Sequence, residues 1–442
     1  MSLIWPDPQS LAISDHQKQE LAKATCTRIG ILAGAAGCGK TFVVAQLIRG
    51  LIRDGLNDSK IGIAGPTGKS AVRITETMQA SGLSVRAETI HSMLKVGRPD
   101  GFGEWGFRHN ELNPLPFDVI VLDESSMIDV QLMKSLFLAR RPGCHLLFTG
   151  DINQLPPVGQ GAPLRDLIAS SVCGYGELTE IKRNSGGIVE ACAAIRSGER
   201  WAEGDNLTLV DATTERTPAE VMQLLEQCRA KQLDPVWDAQ VICAVNSKSE
   251  LSRHKLNKLL QTELNPSPAI QGTPFRLGDK IVCNQNGEYQ PVDRSEGDED
   301  VYVANGELGE VVEIEASRMV VRIRISGEEI VVPRGKPAGE DGEESATGCN
   351  WDLAYALSCH RMQGSEVAVA IVILDDYAGA RSVCDRSWLY TGISRAKRHC
   401  YLIGRRHVAD AMCRKNSINQ RKTLLRERIQ LTMAKSDMEG MF

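Results

Sequence analysis

Gly34-Ala35-Ala36-Gly37-Cys38-Gly39-Lys40-Thr41 has the spacing G-x-x-x-x-G-K-[ST]. Glycines at these places let a loop wrap with its backbone N–H groups turned inward, an anion nest at a helix N-terminus. Lys40 would reach the β- and γ-phosphates of a nucleoside triphosphate, and the Thr41 hydroxyl would ligate Mg²⁺. Further on, Asp123-Glu124 closes the apolar run Val119-Ile120-Val121-Leu122. A carboxylate at Asp123 can hold the same cation through water, and Glu124 can polarise an attacking water as general base. Alone, an acidic pair at a strand end is usually a solvated terminus. Downstream of a phosphate loop, it implies triphosphate hydrolysis. A third string, Gly150-Asp151-Ile152-Asn153-Gln154-Leu155-Pro156-Pro157-Val158-Gly159, follows another apolar run. Gln154 there can hydrogen-bond a γ-phosphate and report its loss, and the two prolines stiffen the path leaving the site.

These groups need a scaffold that brings strand ends together. Arg28–Ala33 is a short apolar run, and Thr41–Ile52 sets Val43, Val44, Leu47, Ile48, Leu51 and Ile52 on one helical stripe. The runs Phe117–Leu122 and His145–Thr149 also end at chemistry, as the strands of a doubly wound parallel sheet do. Lys95–Pro116 breaks the rhythm and is expected to be a hairpin insertion. A second sheet is expected near Val241, resuming at Ala368–Leu374 and His399–Ile403. Between its parts, Gly272–Gly335 has recurring turn residues and a strict alternation in Val321–Ile325, the pattern of a small antiparallel module. Pro337–Gly348 is acidic, Gly-rich and expected to be a loop.

With 442 residues the chain needs more than one core. Residues 291–345 hold 15 acidic and 6 basic side chains, a local −9 that leaves +4 of the total −5 for the rest. Nucleic-acid binding is permitted by that balance without being demanded. No 18 apolar residues run together, and the start has neither a basic nor an apolar signal region, so neither a membrane span nor a secretion signal is expected. Thirteen cysteines without a C-x-x-C pair give no zinc or disulfide pattern and suggest a reducing compartment, the cytosol.

Further strings extend the pattern in order: Ala64-Gly65-Pro66-Thr67-Gly68-Lys69, Thr89-Ile90-His91, Glu180-Ile181-Lys182-Arg183, Ser358-Cys359-His360-Arg361-Met362-Gln363-Gly364-Ser365-Glu366 and Tyr390-Thr391-Gly392-Ile393-Ser394-Arg395-Ala396-Lys397. With GDINQLPPVG as motif III, they resemble motifs Ia, Ib, IV, V and VI of superfamily 1 helicases of the RecD and Dda group. The resemblance covers about residues 15 to 405. Ser70 stands where alanine is frequent, and His360-Arg361 where many relatives have His-Lys.

The resemblance implies an α/β fold of two RecA-like domains, residues 1–92 with 117–185 and 186–265 with 346–442. A pin-bearing hairpin at 93–116 and an SH3-like β-barrel at 266–345 would be inserted in them. It further implies ATP with Mg²⁺ as cofactors, adenine contacted by Gln17, and the phosphates held by Gly34, Gly37, Gly39, Lys40 and Thr41. Thr41 and Asp123 would be the metal ligands, Gly364 and Glu366 would complete the nucleotide contacts, and Arg395 and Arg183 would be arginine fingers. Single-stranded DNA would be gripped by Pro66, Thr67, Lys69, Thr89 and His91 on the first domain and by Ser358 and His360 on the second. Phe102, Trp105 and Phe107 would form a wedge at the duplex junction or the hairpin's own core. The implied activity is a 5′→3′ helicase on single-stranded, forked or tailed DNA in replication, recombination or repair. It would act in bacterial or phage-infected cytosol, as a compact monomer, with single-stranded-DNA-binding or replication proteins as possible partners. A translocase that strips proteins without unwinding is the alternative; a nucleotide kinase and a DNA-binding protein with a degenerate site are the competing classes. The basic stretch Arg405–Arg428 reads as a solvated helix face or a DNA-phosphate contact.

Overall fold

The structure, a computed structural model, describes residues 4–97, 106–181, 186–293, 299–335, 349–421 and 423–439. The chain forms two compact units, residues 1–185 with 416–442, and 186–415.

The first unit is built on a parallel sheet of six strands in the order Glu88–Thr89, Ile61–Gly65, Val119–Leu122, His145–Gly150, Ile29–Gly34, Gly174–Leu178. Parallel strands covered on both faces read as continuous apolar runs; all of Val119–Leu122 and His145–Gly150 is buried. Alternate residues supply two cores. Leu32, Ile63 and Val121 face Val43, Leu47 and Ile48 of the helix Lys40–Arg53, while Ile31, Ile120 and Phe148 face Leu136 and Leu164 on the other side. The order makes the strands ending at Gly34, Leu122 and Gly150 neighbours, so the three chemistry-bearing strings emerge side by side.

The hairpin insertion has its base here: Val96–Gly97 pairs antiparallel with Gly106–Phe107. Of its aromatics, Phe107 packs against the unit's own core and meets the His91 ring at 5.8 Å. Phe102 and Trp105 lie outside the described residues.

The second unit holds a five-stranded parallel sheet, in the order Ala356–Ser358, Ala239–Cys243, Val367–Leu374, Ala396–Gly404, Leu207–Val210. A seven-stranded antiparallel sheet completes it, from Val301–Val303 through Gly287–Pro291, Glu329–Pro333, Arg318–Ile323, Leu308–Ile314 and Lys280–Cys283 to Trp351–Leu353. One core serves both sheets, joining Val321, Ile281 and Trp351 to Val241 and Ile371. Two buried charged groups fasten the junction. Asp279 accepts from Gln261 Nε2 (2.6 Å), Asn265 Nδ2 (2.7 Å) and Tyr355 Oη (2.9 Å); Lys280 donates to Val236 O (2.6 Å) and Gln240 Oε1 (3.0 Å). Satisfying both groups avoids the cost of burying them bare.

Two expected boundaries change. The β module takes in Trp351–Leu353, beyond 345, because that strand pairs with Lys280–Cys283. Residues 416–442 belong with the first unit, not the second. Leu425 and Ile429, one helical turn apart, pack on the first unit's core, and Arg165 Nη2 donates to Asn419 Oδ1 at 2.7 Å. Much of the basic stretch is engaged inside the protein: Arg405 pairs with Asp211 at 2.6 Å, Arg406 lies over the Trp201 ring at 3.9 Å, and Lys415 and Arg421 hold backbone carbonyls.

Candidate active site

The phosphate loop leaves the strand Ile29–Gly34 and turns into Lys40–Arg53 through Gly37 (φ 82°) and Gly39 (φ 84°). Both lie in the left-handed region that side chains avoid, which is why glycine is needed there. Lys40 Nζ donates to Gly34 O at 2.8 Å and Ala35 O at 3.0 Å, spanning the loop it follows. Burial works against its charge. The Cys38 sulfur and the carboxylates of Asp151, Glu124 and Asp123 outweigh it, so the ammonium pKa is raised and Lys40 stays charged.

Thr41 Oγ1 donates to Asp123 Oδ2 at 3.0 Å. Giving its proton that way leaves the hydroxyl lone pairs for a cation. The second oxygen, Asp123 Oδ1, accepts from Glu124 N at 2.9 Å and from Thr149 Oγ1. Thr149, fully buried near the end of the neighbouring strand, is a site residue that sequence reasoning missed; a hydroxyl one residue before Gly150 was the available signal. Among the described residues no group of three or more His, Cys, Asp or Glu side chains could hold a metal. A hydroxyl and one carboxylate converging beside a phosphate loop nonetheless fit Mg²⁺, which takes few protein oxygens and completes its shell with phosphates and water.

Glu124 has φ 50°, the left-handed region, as the strand turns into the short 3₁₀ turn Ser125–Met127. A non-glycine residue there carries strain of order 1–3 kcal/mol, a cost that clusters at functional positions. Gln154 is buried, its Nε2 facing Asp151 Oδ2 at 3.5 Å, and its Oε1 has no hydrogen-bond partner among the described residues. A buried amide oxygen left so is costly unless a ligand or water meets it. Asp151, quoted in the sequence string without a role, is fully buried between this amide and the field of Lys40. The structure therefore brings Lys40, Thr41, Asp123, Glu124 and Gln154 to one end of one sheet.

Gln17 stands beside the same loop, its Nε2 at 3.5 Å from Cys38 O. Its Oε1 accepts from Ser14 N at 3.1 Å in a capping box that starts the helix Asp15–Ala24. Pro66 is half-buried. Thr67 caps the helix Gly68–Ala80 in a reciprocal box with Ser70, which gives the unusual serine a structural reason. The half-buried Lys69 lies in that helix's first turn. Thr89 caps Ile90–Leu94 through Ser92 N at 3.0 Å, and the exposed His91 follows it.

In the second unit, Arg395 is buried and donates to Thr391 O (3.0 Å), Ser394 Oγ (3.0 Å) and Ser365 O (3.2 Å), which ties the motif VI helix to motif V. Glu366 pairs with Lys397 at 3.6 Å, and Gly364 takes φ 73°. Ser358 is half-buried at a strand end and His360 is exposed. Beside them, burial lowers the Arg361 pKa and the Arg253 guanidinium adds to it, while Arg253 itself pairs with Asp352 at 2.6 Å. Arg183 lies outside the described residues.

Residues 17–160 match the AAA domain family and residues 353–403 the UvrD-like helicase C-terminal domain. An ATP-dependent RecD2 DNA helicase of Deinococcus radiodurans is 30% identical over 420 residues, 90% of this chain and 50% of that protein, so the chain spans about half that relative's length. The RecD subunit of the RecBCD enzyme of Mycolicibacterium smegmatis is 28% identical over 461 residues, 96% of this chain and 77% of that one. Among solved structures, Pif1 helicases at forked double-stranded DNA share the fold at a TM-score of 0.51 and 17% identity, covering 97% of this chain and 98% of theirs. Bacteroides Pif1 bound to single-stranded DNA does so at 0.50 and 18%, covering 89% and 92%. With its ordered motifs and two parallel-sheet units, the chain is similar to RecD-like superfamily 1 helicases.

Proposed function

We propose that this protein is an ATP-driven DNA helicase that moves 5′→3′ along single-stranded DNA and opens forked or tailed duplexes. The observation that carries the reading is the Thr41–Asp123 pair at 3.0 Å beside a charged Lys40 and the unpartnered oxygen of Gln154. Lys40 binds the β- and γ-phosphates, and Thr41 and Asp123 would hold Mg²⁺. When bound, that cation neutralises charge on the transferring phosphoryl group. Glu124 takes the proton of the attacking water, and Gln154 orients that water and registers departure of the γ-phosphate. Gln17 contacts the adenine, while Gly364 and Glu366 complete the nucleotide contacts. Arg395 supplies positive charge to the developing transition state, as does Arg183. Thr67, Thr89 and His91, with Pro66, Lys69, Ser358 and His360, grip a DNA backbone without reading sequence, as single-strand binders do.

The polarity rests on the RecD-like kinship. Recombination, repair or replication, a cytosolic place and a monomeric state belong to the same proposal; thirteen cysteines with no C-x-x-C pair fit a reducing compartment. Unwinding of duplexes with either a 5′ or a 3′ single-stranded tail tests the reading. Opening from the 5′ tail alone is expected. Opening from the 3′ tail alone would overturn the polarity, and ATP-dependent displacement of streptavidin from biotinylated single strands without unwinding would replace helicase by translocase.

A further inference from the structure

The turn that follows Gln154 is held by a residue from the far end of the chain. Arg421 Nη1 donates to three backbone carbonyls, Pro157 O at 2.7 Å, Gly159 O at 2.9 Å and Gly161 O at 3.1 Å. One cation facing three carbonyl dipoles is a charge-assisted arrangement stronger than neutral bonds, and it fixes the curvature of a turn that has no ladder of its own. From the other side, Val130 N donates to Gln160 O at 3.2 Å, and the Asp129 carboxylate lies so close to Gly159 that a Cβ there would collide with it. The turn is thus caught between the start of the helix Val130–Ala139 and Arg421.

The strap that delivers Arg421 is itself anchored. Thr423 Oγ1 donates to Asp166 and its methyl lies against Gly161, Asn419 accepts from Arg165, and Leu425 and Ile429 rest on the core. On the side from which the strap comes, Lys415 Nζ holds three carbonyls of the second unit, Arg381 O (2.8 Å), Ser382 O (2.7 Å) and Cys384 O (3.2 Å). Residues 416–420 therefore run between two cations, each pinned to backbone.

Only Leu155 and Pro156 separate Gln154 from the first clamped carbonyl. Leu155 is buried, and Pro156 and Pro157 have φ locked by their rings. A displacement of the turn has little slack in which to be lost before it reaches the Gln154 amide. We propose that Arg421 is a positioning residue for ATP hydrolysis: it sets the 157–161 turn, and through the two prolines it sets where Gln154 stands. The proposal rests on Gln154 acting in hydrolysis; the clamp itself does not.

The experiment compares Arg421→Ala, Arg421→Lys and Ile429→Ala in the full chain. It reads single-stranded-DNA-stimulated ATP turnover, affinity for a fluorescent ATP analogue, melting temperature, and amide exchange over 155–162. Arg421→Ala is expected to lower kcat roughly ten- to hundredfold, the range for a misplaced catalytic group, with analogue affinity nearly unchanged and faster exchange in the turn. Arg421→Lys, a point charge with three N–H donors, is expected to restore most of kcat. Ile429→Ala, which loosens the strap's helix without touching the turn, is expected to lower the melting temperature while leaving kcat at 25 °C near the parent value. An unchanged kcat in Arg421→Ala, or losses of kcat that simply track melting temperature in both alanine variants, would overturn the proposal. A parent chain without ATP turnover would defeat the functional reading instead, and unaltered exchange over the turn would then defeat the clamp on its own.

Discussion

Asp123 accepts from Thr41, Thr149 and the Glu124 backbone, so both of its oxygens are oriented before any cation arrives. Beside it, Glu124 is held in a strained left-handed conformation that aims its side chain independently of the strand behind it. If Glu124 takes the proton of the attacking water, Glu124→Gln should lower ATP turnover at least ~100-fold, the lower end of what general-base catalysis contributes. Binding of an ATP analogue should persist, because Lys40 and Thr41 are untouched. A turnover within a few-fold of the parent would assign the base elsewhere. Lys40, Thr41, Asp123, Glu124 and Gln154 were legible in sequence because each sits at a fixed offset from a strand end. Thr149 was not, because its role comes from facing a neighbouring strand and one strand's sequence does not say which strand will lie beside it; nor was Asp151, whose part in the site is its field on Lys40, far away in sequence.

The helices that carry the candidate DNA contacts start with caps that are themselves candidate contacts. Thr67 accepts from Ser70 N at 3.2 Å, and Ser70 returns the bond to Thr67 N at 3.2 Å. Thr67→Ala should therefore cost about 1 kcal/mol of stability, the usual worth of such a cap, measured as a shifted denaturation midpoint, and Thr67→Ser should keep most of it. No change in midpoint would mean the cap contributes nothing here. The long apolar strands and the helix Lys40–Arg53 announced themselves by pattern. The edge strands Leu207–Val210 and Ala356–Ser358 are too short to show a period, and they become strands only by pairing with Ala396–Gly404 and Ala239–Cys243. The C-terminal strap was unreadable for another reason. Its helix Leu425–Glu439 is mostly polar, and what attaches the strap are Leu425, Ile429 and the polar bonds of Arg421 and Thr423 to residues far away in sequence.

Across the molecule, three imidazoles have their pKa lowered: His145 by burial and then Arg28, His254 by burial and then Arg253, His399 by burial and then Lys231. Their neutral forms are favoured in the fold. As pH falls below about 6.5, the ordinary imidazole value, the unfolded chain takes up protons that the folded one resists, so stability falls. The melting temperature should drop between pH 7 and 5.5, and His399→Gln should make the drop shallower; a flat profile over that window would contradict the burial argument. At the same scale stands the proposal that one chain turns ATP hydrolysis into motion on DNA. The acidic module at 291–345, with its local −9 (15 acidic, 6 basic), is a poor grip for phosphates, in keeping with the proposal that the sheet-borne motifs hold the strand. The most direct measurement is steady-state ATP hydrolysis by the full chain with and without single-stranded DNA. Turnover that rises at least tenfold with DNA and vanishes in Glu124→Gln is the predicted result. Turnover indifferent to DNA would mean that the nucleotide site serves a different chemistry.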